Sequence, residues 1–507
     1  MSTTMERTTI AGDIEIPRMI NGLWQLADMK VDIPNAAKAM DSLIASGLSC
    51  FDMADHYGDA ELVIGKYNGR PAVDPRSITA FTKWCPQENG ITTFEHAEAA
   101  VDLALSRMGQ KRIALMQYHI WDYTDDTYLQ NLAHLQKMAD QGKLGAVGLT
   151  NTDAAHLELL LRSGYRIATN QVSCSVIDRR LVRGRLGAVC AEHGVGILAY
   201  GTLLGGYLSE KWVGAPEPTD EAALNWSLRK YLRFIRAAGG WAAFQGVLQA
   251  LAAVAGKHKV SIPAVATRWV LDIPVVKAVI VGSRLTPESD KYTASNLSAF
   301  SFSLDQDDVS LISKAQEALA DIPGDNGDEY RRPPFLTASG DLSHHIHGSA
   351  DRIKALEEAV AQGSRIEYHT GSKWEPIAGY SRAVRVGNVI RVSGTTANPP
   401  PPLTDSMAAI GGKSARCQTT AILDIIARSV KALGGSTADI VRTRVMVRNE
   451  EDCEEVSEAH GWVFGCEKIR PSNTLVTTSP IGDAFLVEIE AVAVVGSSSR
   501  PVVIISQ

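Results

Sequence analysis

The chain has 507 residues, more than one hydrophobic core usually accommodates, so two domains are expected. A net charge of −7 on an ordinary globular composition gives no electrostatic reason for nucleic acid or an anionic membrane as partner. No apolar run approaches a bilayer span, residues 1–9 lack the apolar core of a secretory leader, and seven scattered cysteines without a CxxC pair read as free thiols, so a cytoplasmic protein is expected.

A short hairpin is predicted over 8–16. From there to about residue 320, apolar β-rich runs alternate with amphipathic segments. The runs fall at 18–22, 48–52, 78–83, 113–119, 146–149, 168–172, 196–200 and 276–281. The amphipathic segments include 35–46, 94–107, 128–141, 154–162 and 262–271. Eight strand–helix units fit a (β/α)8 barrel, whose strands are buried on both faces and so lack clean alternation. A doubly wound sheet gives the same alternation. However, no Gly-x-Gly-x-x-Gly follows the first run and a hairpin precedes it, so the barrel is preferred. The first domain is set at 1–322.

Residues 323–365 read as loop and linker, turn-rich at 323–328 and Pro-rich at Pro333-Pro334, ending in a short helix at 350–362. His344, His345 and His347 cluster there without carboxylate or cysteine neighbours at ligand spacing, so no metal site is expected. Residues 366–507 read as a smaller α+β domain. A strand pair at 384–392 turns at Gly387-Asn388, and a long helix follows at 415–433. Strands at 440–447, 473–478 and 485–495 and a helix between 453 and 464 complete it. The tract Asn398-Pro399-Pro400-Pro401-Pro402 reads as a loop.

Four polar residues sit at the ends of the early strands. They are Asp52 and Tyr57 in Cys50-Phe51-Asp52-Met53-Ala54-Asp55-His56-Tyr57-Gly58, Lys83 in Thr82-Lys83-Trp84, and His119 in Gln117-Tyr118-His119. A free phenol has a pKa of about 10, too high for acid–base work near neutrality, and an adjacent ammonium lowers it. Asp52 would hold the Lys83 ammonium and His119 would orient a substrate oxygen. Tyr57 would then give a proton as hydride reaches carbon. Singly, each residue reads more often as a salt bridge or a packed side chain. Jointly, they suit reduction of a carbonyl.

With these motifs, residues 14 to about 320 resemble the aldo-keto reductases. The resemblance implies that Asp52, Tyr57, Lys83 and His119 are the catalytic tetrad, the aspartate five residues before the tyrosine selecting Asp52 over Asp55. It implies an NADP(H) site as well. Thr150 and Asn151, in Gly148-Leu149-Thr150-Asn151, with Gln171 would hold the nicotinamide amide, and Tyr200 would stack on its ring. The loop Gly282-Ser283-Arg284 would grip the 2′-phosphate, with Lys291 as a further basic contact. Residues 325–347 would fold over the mouth, as C-terminal loops do in that family. Trp24, Trp84, Tyr118 and Trp121 form an aromatic substrate pocket or serve packing.

Residues 366–497 resemble the Rid family (YjgF-like, endoribonuclease L-PSP-type) of imine and enamine deaminases, with a chorismate-mutase-like fold. The matching elements are Ala378-Gly379-Tyr380, Val392-Ser393-Gly394, Asp439-Ile440-Val441-Arg442-Thr443 and Glu488-Ile489-Glu490-Ala491. The resemblance implies a cleft with Tyr380, Gly394 and Glu488. The position of the carboxylate-clamping arginine falls on Asn473, and Arg470 lies out of register, so amino-acid-derived imines are not expected as substrates. It also implies a homotrimer. The expectation is an NADPH-dependent reductase of a small-molecule C=O or C=N bond. Two alternatives stay open: an imine reductase whose second domain binds or generates the imine, and a non-catalytic cofactor-binding interaction protein.

Overall fold

The computed structural model describes residues 5–71, 73–74, 77–86, 90–286, 292–331 and 350–505. The predicted hairpin is β1 (Arg7–Ile10) and β2 (Ile14–Pro17), turned through Ala11 and Gly12, both at positive φ. Eight parallel strands then close a barrel in the order β10-β3-β4-β5-β6-β7-β8-β9. They are β3 (Met19–Gly22), β4 (Cys50–Asp52), β5 (Thr79–Trp84), β6 (Ile113–His119), β7 (Leu144–Thr150), β8 (Thr169–Ser173), β9 (Gly196–Tyr200) and β10 (Val276–Gly282).

Alternation along the strands sorts the barrel interior into layers. At the amino end, Ile20, Cys50, Phe81, Leu115, Ala146, Leu198 and Ile280 form an apolar floor, sealed from below by Ile10 and Ile16 of the hairpin. Two residues further along the same inward rows, the side chains turn polar: Asp52, Lys83 and Gln117, all buried. The polar layer therefore belongs to the carboxyl end, where the loops gather. Helices Trp226–Ala237 and Gly240–His258, which periodicity did not single out, pack on the barrel with the helix Ile262–Leu271 in a separate apolar cluster.

The second domain is a six-stranded sheet in the order β11-β12-β13-β16-β14-β15. Its strands are β11 (Ile366–Tyr368), β12 (Ala383–Val386), β13 (Val389–Thr395), β14 (Ile440–Val447), β15 (Ser472–Thr477) and β16 (Val487–Val494). Helices Ala415–Ala432 and Cys453–Cys466 pack against one another, and the first also packs on the sheet. The expected turn at Gly387-Asn388 joins β12 and β13, with Gly387 at φ +61°. The linker helix spans Ala350–Ala361.

The domains meet along two helices. Ala154–Arg162 is capped by Asp153, which accepts from His156 N, and Ala415–Ala432 by Ser414, which accepts from Cys417 N. His156 bridges the interface, its Nδ1 2.8 Å from Asp153 Oδ1 and its Nε2 2.9 Å from Asp424 Oδ2. Tyr123 stacks on the imidazole at 3.3 Å between centroids. Lys431–Asp122 and Arg428–Asp126 pairs, each 2.5 Å, flank it. Burial disfavours the imidazolium, but Asp153 and Asp424 together raise the His156 pKa to about 9.

Because that folded value lies above the ordinary 6.5, the stabilisation is complete below about pH 6.5 and is lost as pH rises through about 9. Wild-type thermal stability should therefore fall across this window, by up to about 3 kcal/mol at the upper end. His156→Gln should start lower and lack the slope. A melting series at constant ionic strength checks this; parallel curves for the two proteins would refute it.

Candidate active site

The four polar residues converge at the carboxyl end of the barrel. Lys83 Nζ donates to Asp52 Oδ2 at 2.6 Å and to the Met53 carbonyl at 2.7 Å. Asp52 Oδ1 accepts from Gln117 Nε2 and Gln171 Nε2, each at 2.8 Å. Both charged side chains are 3% exposed, so this is a buried ion pair whose carboxylate accepts three hydrogen bonds. The Lys83 ammonium stands 4.9 Å from the centre of the Tyr57 ring.

Burial, then the Asp52 charge, pushes the Tyr57 phenol well above its ordinary value. This reverses the expected depression by Lys83. The ammonium is committed to Asp52 and Met53 and lies over the ring face. The phenol is consequently held protonated, the form a proton donor requires. Burial, then the charge of Arg331, pushes the His119 imidazole well below its ordinary value, so His119 is a neutral group. It packs on Trp121 at 3.7 Å between ring centroids.

The aromatic set divides by strand parity. Trp84 follows inward-facing Lys83, and Tyr118 precedes inward-facing His119, so both point out of the barrel. They pack edge to face at 5.3 Å, Trp84 against His96 and Tyr118 accepting from Asn131 Nδ2, both partners lying on the surrounding helices. They are packing residues, which corrects the pocket reading for them. Trp121 stays at the mouth. Trp24 lies on the turn Trp24–Asp28 after β3, half-buried.

The proposed cofactor residues line one side of the mouth. Thr150 ends β7, Asn151 follows at φ +55°, Gln171 lies in β8 and Tyr200 ends β9. Tyr200 Oη donates to Asn151 Oδ1 at 2.7 Å, and Asn151 Nδ2 lies 3.5 Å from His119 Nε2. Gln171 spends its amide on Asp52 and on Gln117 Oε1 rather than leaving it open to the mouth. Gly282 ends β10. Ser283 is anchored by its N–H on the Gly22 carbonyl, and Arg284 is exposed beside it. Ser283 Oγ is buried without a hydrogen-bond partner among the described residues. An orphaned hydroxyl beside an exposed guanidinium without an ion-pair partner among the described residues fits a phosphate. Lys291 and the His344, His345 and His347 cluster lie outside the described residues.

Of the stretch 325–347 expected over the mouth, residues 325–331 fold there and 332–347 lie outside the described residues. Asn326 Nδ2 donates to the Ser173 carbonyl, and Arg180 pairs with Glu329 and Asp178, each at 2.8 Å. Gly327 passes so close that a Cβ would stand 1.9 Å from the Asn151 carbonyl oxygen, which excludes any other residue. Tyr330 is thereby set edge-on to His119 at 5.5 Å, with Lys230 Nζ donating to its hydroxyl at 2.9 Å. Arg331 donates to the carbonyls of Ile120 and Asn151. Sequence reasoning missed Gln117, Lys230, Tyr330 and Arg331. Only Gln117 carried a local signal, two residues before His119 on the same inward row.

In the second domain, Tyr380, Gly394 and Glu488 come together, and Asn473 does not join them. Glu488 alternates with buried Val487 and Ile489, so it faces away from the core. Asn473 is the partner of Thr443 across β14 and β15, accepts from Thr443 Oγ1 at 3.2 Å, and shares its face with His460 of the helix Cys453–Cys466. The residue found beside the cleft is Arg382. Its Nη1 donates to the Gly394 carbonyl at 2.8 Å and to Thr395 Oγ1 at 3.0 Å, and its Nη2 lies 3.4 Å from Tyr380 Oη.

A family model described as aldo/keto reductase matches residues 18–317. The chain belongs to the aldo/keto reductase family. A second model, endoribonuclease L-PSP, matches residues 370–495 of the same chain. Among curated relatives, flagellar radial spoke protein 5 of Chlamydomonas reinhardtii is 34% identical over 177 residues, which is 31% of this chain and 33% of the spoke protein's length. The aldo-keto reductase str7 of Strobilurus tenacellus is 27% identical over 57% of this chain and 82% of its own length. A RutC family protein of Pyrococcus horikoshii is 28% identical over 24% of this chain and 89% of its own length. Among solved structures, a glycerol dehydrogenase of Gluconobacter oxydans has a TM-score of 0.49 at 20% identity, covering 64% of this chain and 98% of its own.

Proposed function

We propose that the barrel is an NADPH-dependent reductase of small-molecule aldehydes and ketones, with Tyr57 as general acid. The observation that carries this is the convergence of a protonated Tyr57, a neutral His119 and the Lys83–Asp52 pair at one barrel mouth. When bound, NADPH supplies hydride to the carbonyl carbon. The chain's own residues do the rest. Neutral His119 orients the carbonyl oxygen. Tyr57 delivers its proton to that oxygen, and the adjacent ammonium stabilises the phenolate left behind. Tyr330 and Trp121 exclude water from the same space. Thr150, Asn151, Gln171 and Tyr200 are the groups that would hold the nicotinamide end, which requires Gln171 to release Asp52 or share its amide. Gly282, Ser283 and Arg284 would hold the 2′-phosphate.

A second reading is reduction of a C=N bond. It is favoured by Tyr380, Arg382 and Glu488 sharing a face of a domain that resembles imine deaminases. An iminium needs no proton at nitrogen, so Tyr57 would matter less for it. NADPH absorbance loss with a panel of aldehydes, ketones and cyclic imines decides between the readings. The wild type should prefer NADPH to NADH, and Arg284→Ala should weaken NADPH by about tenfold, the cost of a charge-assisted contact, while leaving NADH unchanged. Equal cofactor affinities in the wild type would sink the phosphate assignment.

The second domain is also proposed to assemble the chain into a homotrimer through residues 366–497. Light scattering on the full chain should give three times the monomer mass; a monomer at micromolar concentration contradicts it.

A further inference from the structure

We propose that Asp55, His56 and Cys85 form a site for a borderline-soft divalent cation, Zn2+ in the first instance, on the rim of the barrel mouth, where its capture shuts the reductase down. The inhibitory half rests on the proposed reductase function; the site itself does not.

The donor set is assembled by the fold. Asp55 and His56 lie in the loop after β4, and Cys85 immediately follows β5. Asp55 N donates to the Lys83 carbonyl at 3.1 Å and Cys85 N donates to Asp55 Oδ2 at 2.9 Å, which locks the two segments together. His56 Nδ1 lies 2.9 Å from Asp55 Oδ1. One thiol sulfur, one ring nitrogen and one carboxylate oxygen all fall within 4.8 Å of one another. Ligand bonds of about 2.0–2.3 Å put tetrahedral donors roughly 3.5 Å apart, so closing the set requires side-chain movements of about 1 Å. Sulfur, nitrogen and oxygen donors together suit Zn2+ and its congeners and disfavour Mg2+ and Ca2+.

Charge and access agree. On binding, the Cys85 thiol releases its proton to solvent, and thiolate, carboxylate and neutral imidazole together carry two negative charges, which the cation neutralises. Cys85 is buried, but the Asp55 and His56 side chains are 30% and 16% exposed, which leaves a path for the ion and a place for water as fourth ligand. A second constellation, His258 with Asp305 and Asp308, serves as a contrast. There the Lys257 ammonium already pairs with both carboxylates at 2.5 and 2.8 Å. Asp55 has only His56 as ion-pair partner among the described residues.

The link to catalysis is direct. His56 precedes Tyr57 in the chain and meets its ring edge-on at 4.9 Å between centroids. Cys85 packs with Ala54 and Trp121 in a small cluster that Tyr57 and Tyr330 also touch. Drawing His56 and Cys85 onto one ion moves the peptide that carries the phenol and the wall behind it.

The test uses metal-stripped full-length protein titrated with Cd2+, read by the ultraviolet charge-transfer band of a cadmium thiolate. A saturable band at one ion per chain is expected, displaced by Zn2+. Cys85→Ser should abolish it. His56→Ala, in the loop after β4 and outside any strand or helix, should weaken Cd2+ at least tenfold. Cys453→Ser, in the second domain, should leave it intact. A band of unchanged strength and affinity in both Cys85→Ser and His56→Ala would overturn the site. Zn2+ should also inhibit NADPH oxidation reversibly, with a chelator restoring the rate. Full activity at Zn2+ concentrations that saturate the competition overturns the inhibitory half alone, and the absorbance titration decides the site whether or not a turnover substrate is in hand.

Discussion

The ion pair between Lys83 and Asp52 is the interaction on which the rest of the barrel mouth depends. Two charges 2.6 Å apart and both 3% exposed have given up most of their hydration. Removing either partner leaves an uncompensated buried charge, at a cost of about 3–5 kcal/mol. The fold offsets the desolvation by saturating Asp52 with the amides of Gln117 and Gln171 and Lys83 with the Met53 carbonyl. Four strands, β4, β5, β6 and β8, are thus tied at one level of the barrel. The same arrangement leaves Tyr57 with a charged neighbour over its ring, and burial with the Asp52 charge keeps the phenol protonated.

Closure of the mouth and docking of the second domain share residues. Arg331 donates to the Asn151 carbonyl, lies 4.4 Å over the Tyr123 ring, and stands 3.8 Å from Asp153. Tyr123 stacks on His156, and Asp153 pairs with it. Asp325, held near neutral by burial and by the Asp153 charge with its pKa raised to about 7, accepts from the first N–H of the same helix. The segment that sets Tyr330 against His119 is therefore anchored on the helix that carries the second domain. A single bridging imidazolium faces both.

What the sequence revealed followed locality and parity. The tetrad was legible because Asp52, Lys83 and His119 end inward rows and Tyr57 follows Asp52 at a fixed spacing, and the eight-strand alternation was legible because each buried run is short and apolar. Strand parity was available for Trp84 and Tyr118 too, since a neighbour of an inward residue must face out, yet their aromatic character suggested a pocket. Tyr330 and Arg331 carried no signal. They lie in an aperiodic stretch 100 to 211 residues from the barrel groups they meet, so only the closed chain brings them together. Asn473 shows the limit of counting back from Glu488: the face it presents is set by its pairing with Thr443 across a parallel ladder, which residue spacing does not encode. The charge beside that cleft comes instead from Arg382, two residues after Tyr380.

In the proposed reduction, a protonated Tyr57, positioned by the Lys83–Asp52 pair, gives the proton to the carbonyl oxygen. Tyr57→Phe keeps the ring against Lys83 and removes only the hydroxyl. Single-turnover hydride transfer to an aldehyde, measured beside NADPH binding by fluorescence, tests it most directly. Unchanged cofactor affinity and a rate lower by about 10²–10⁴-fold are expected. Hydride transfer at the wild-type rate in Tyr57→Phe would contradict it.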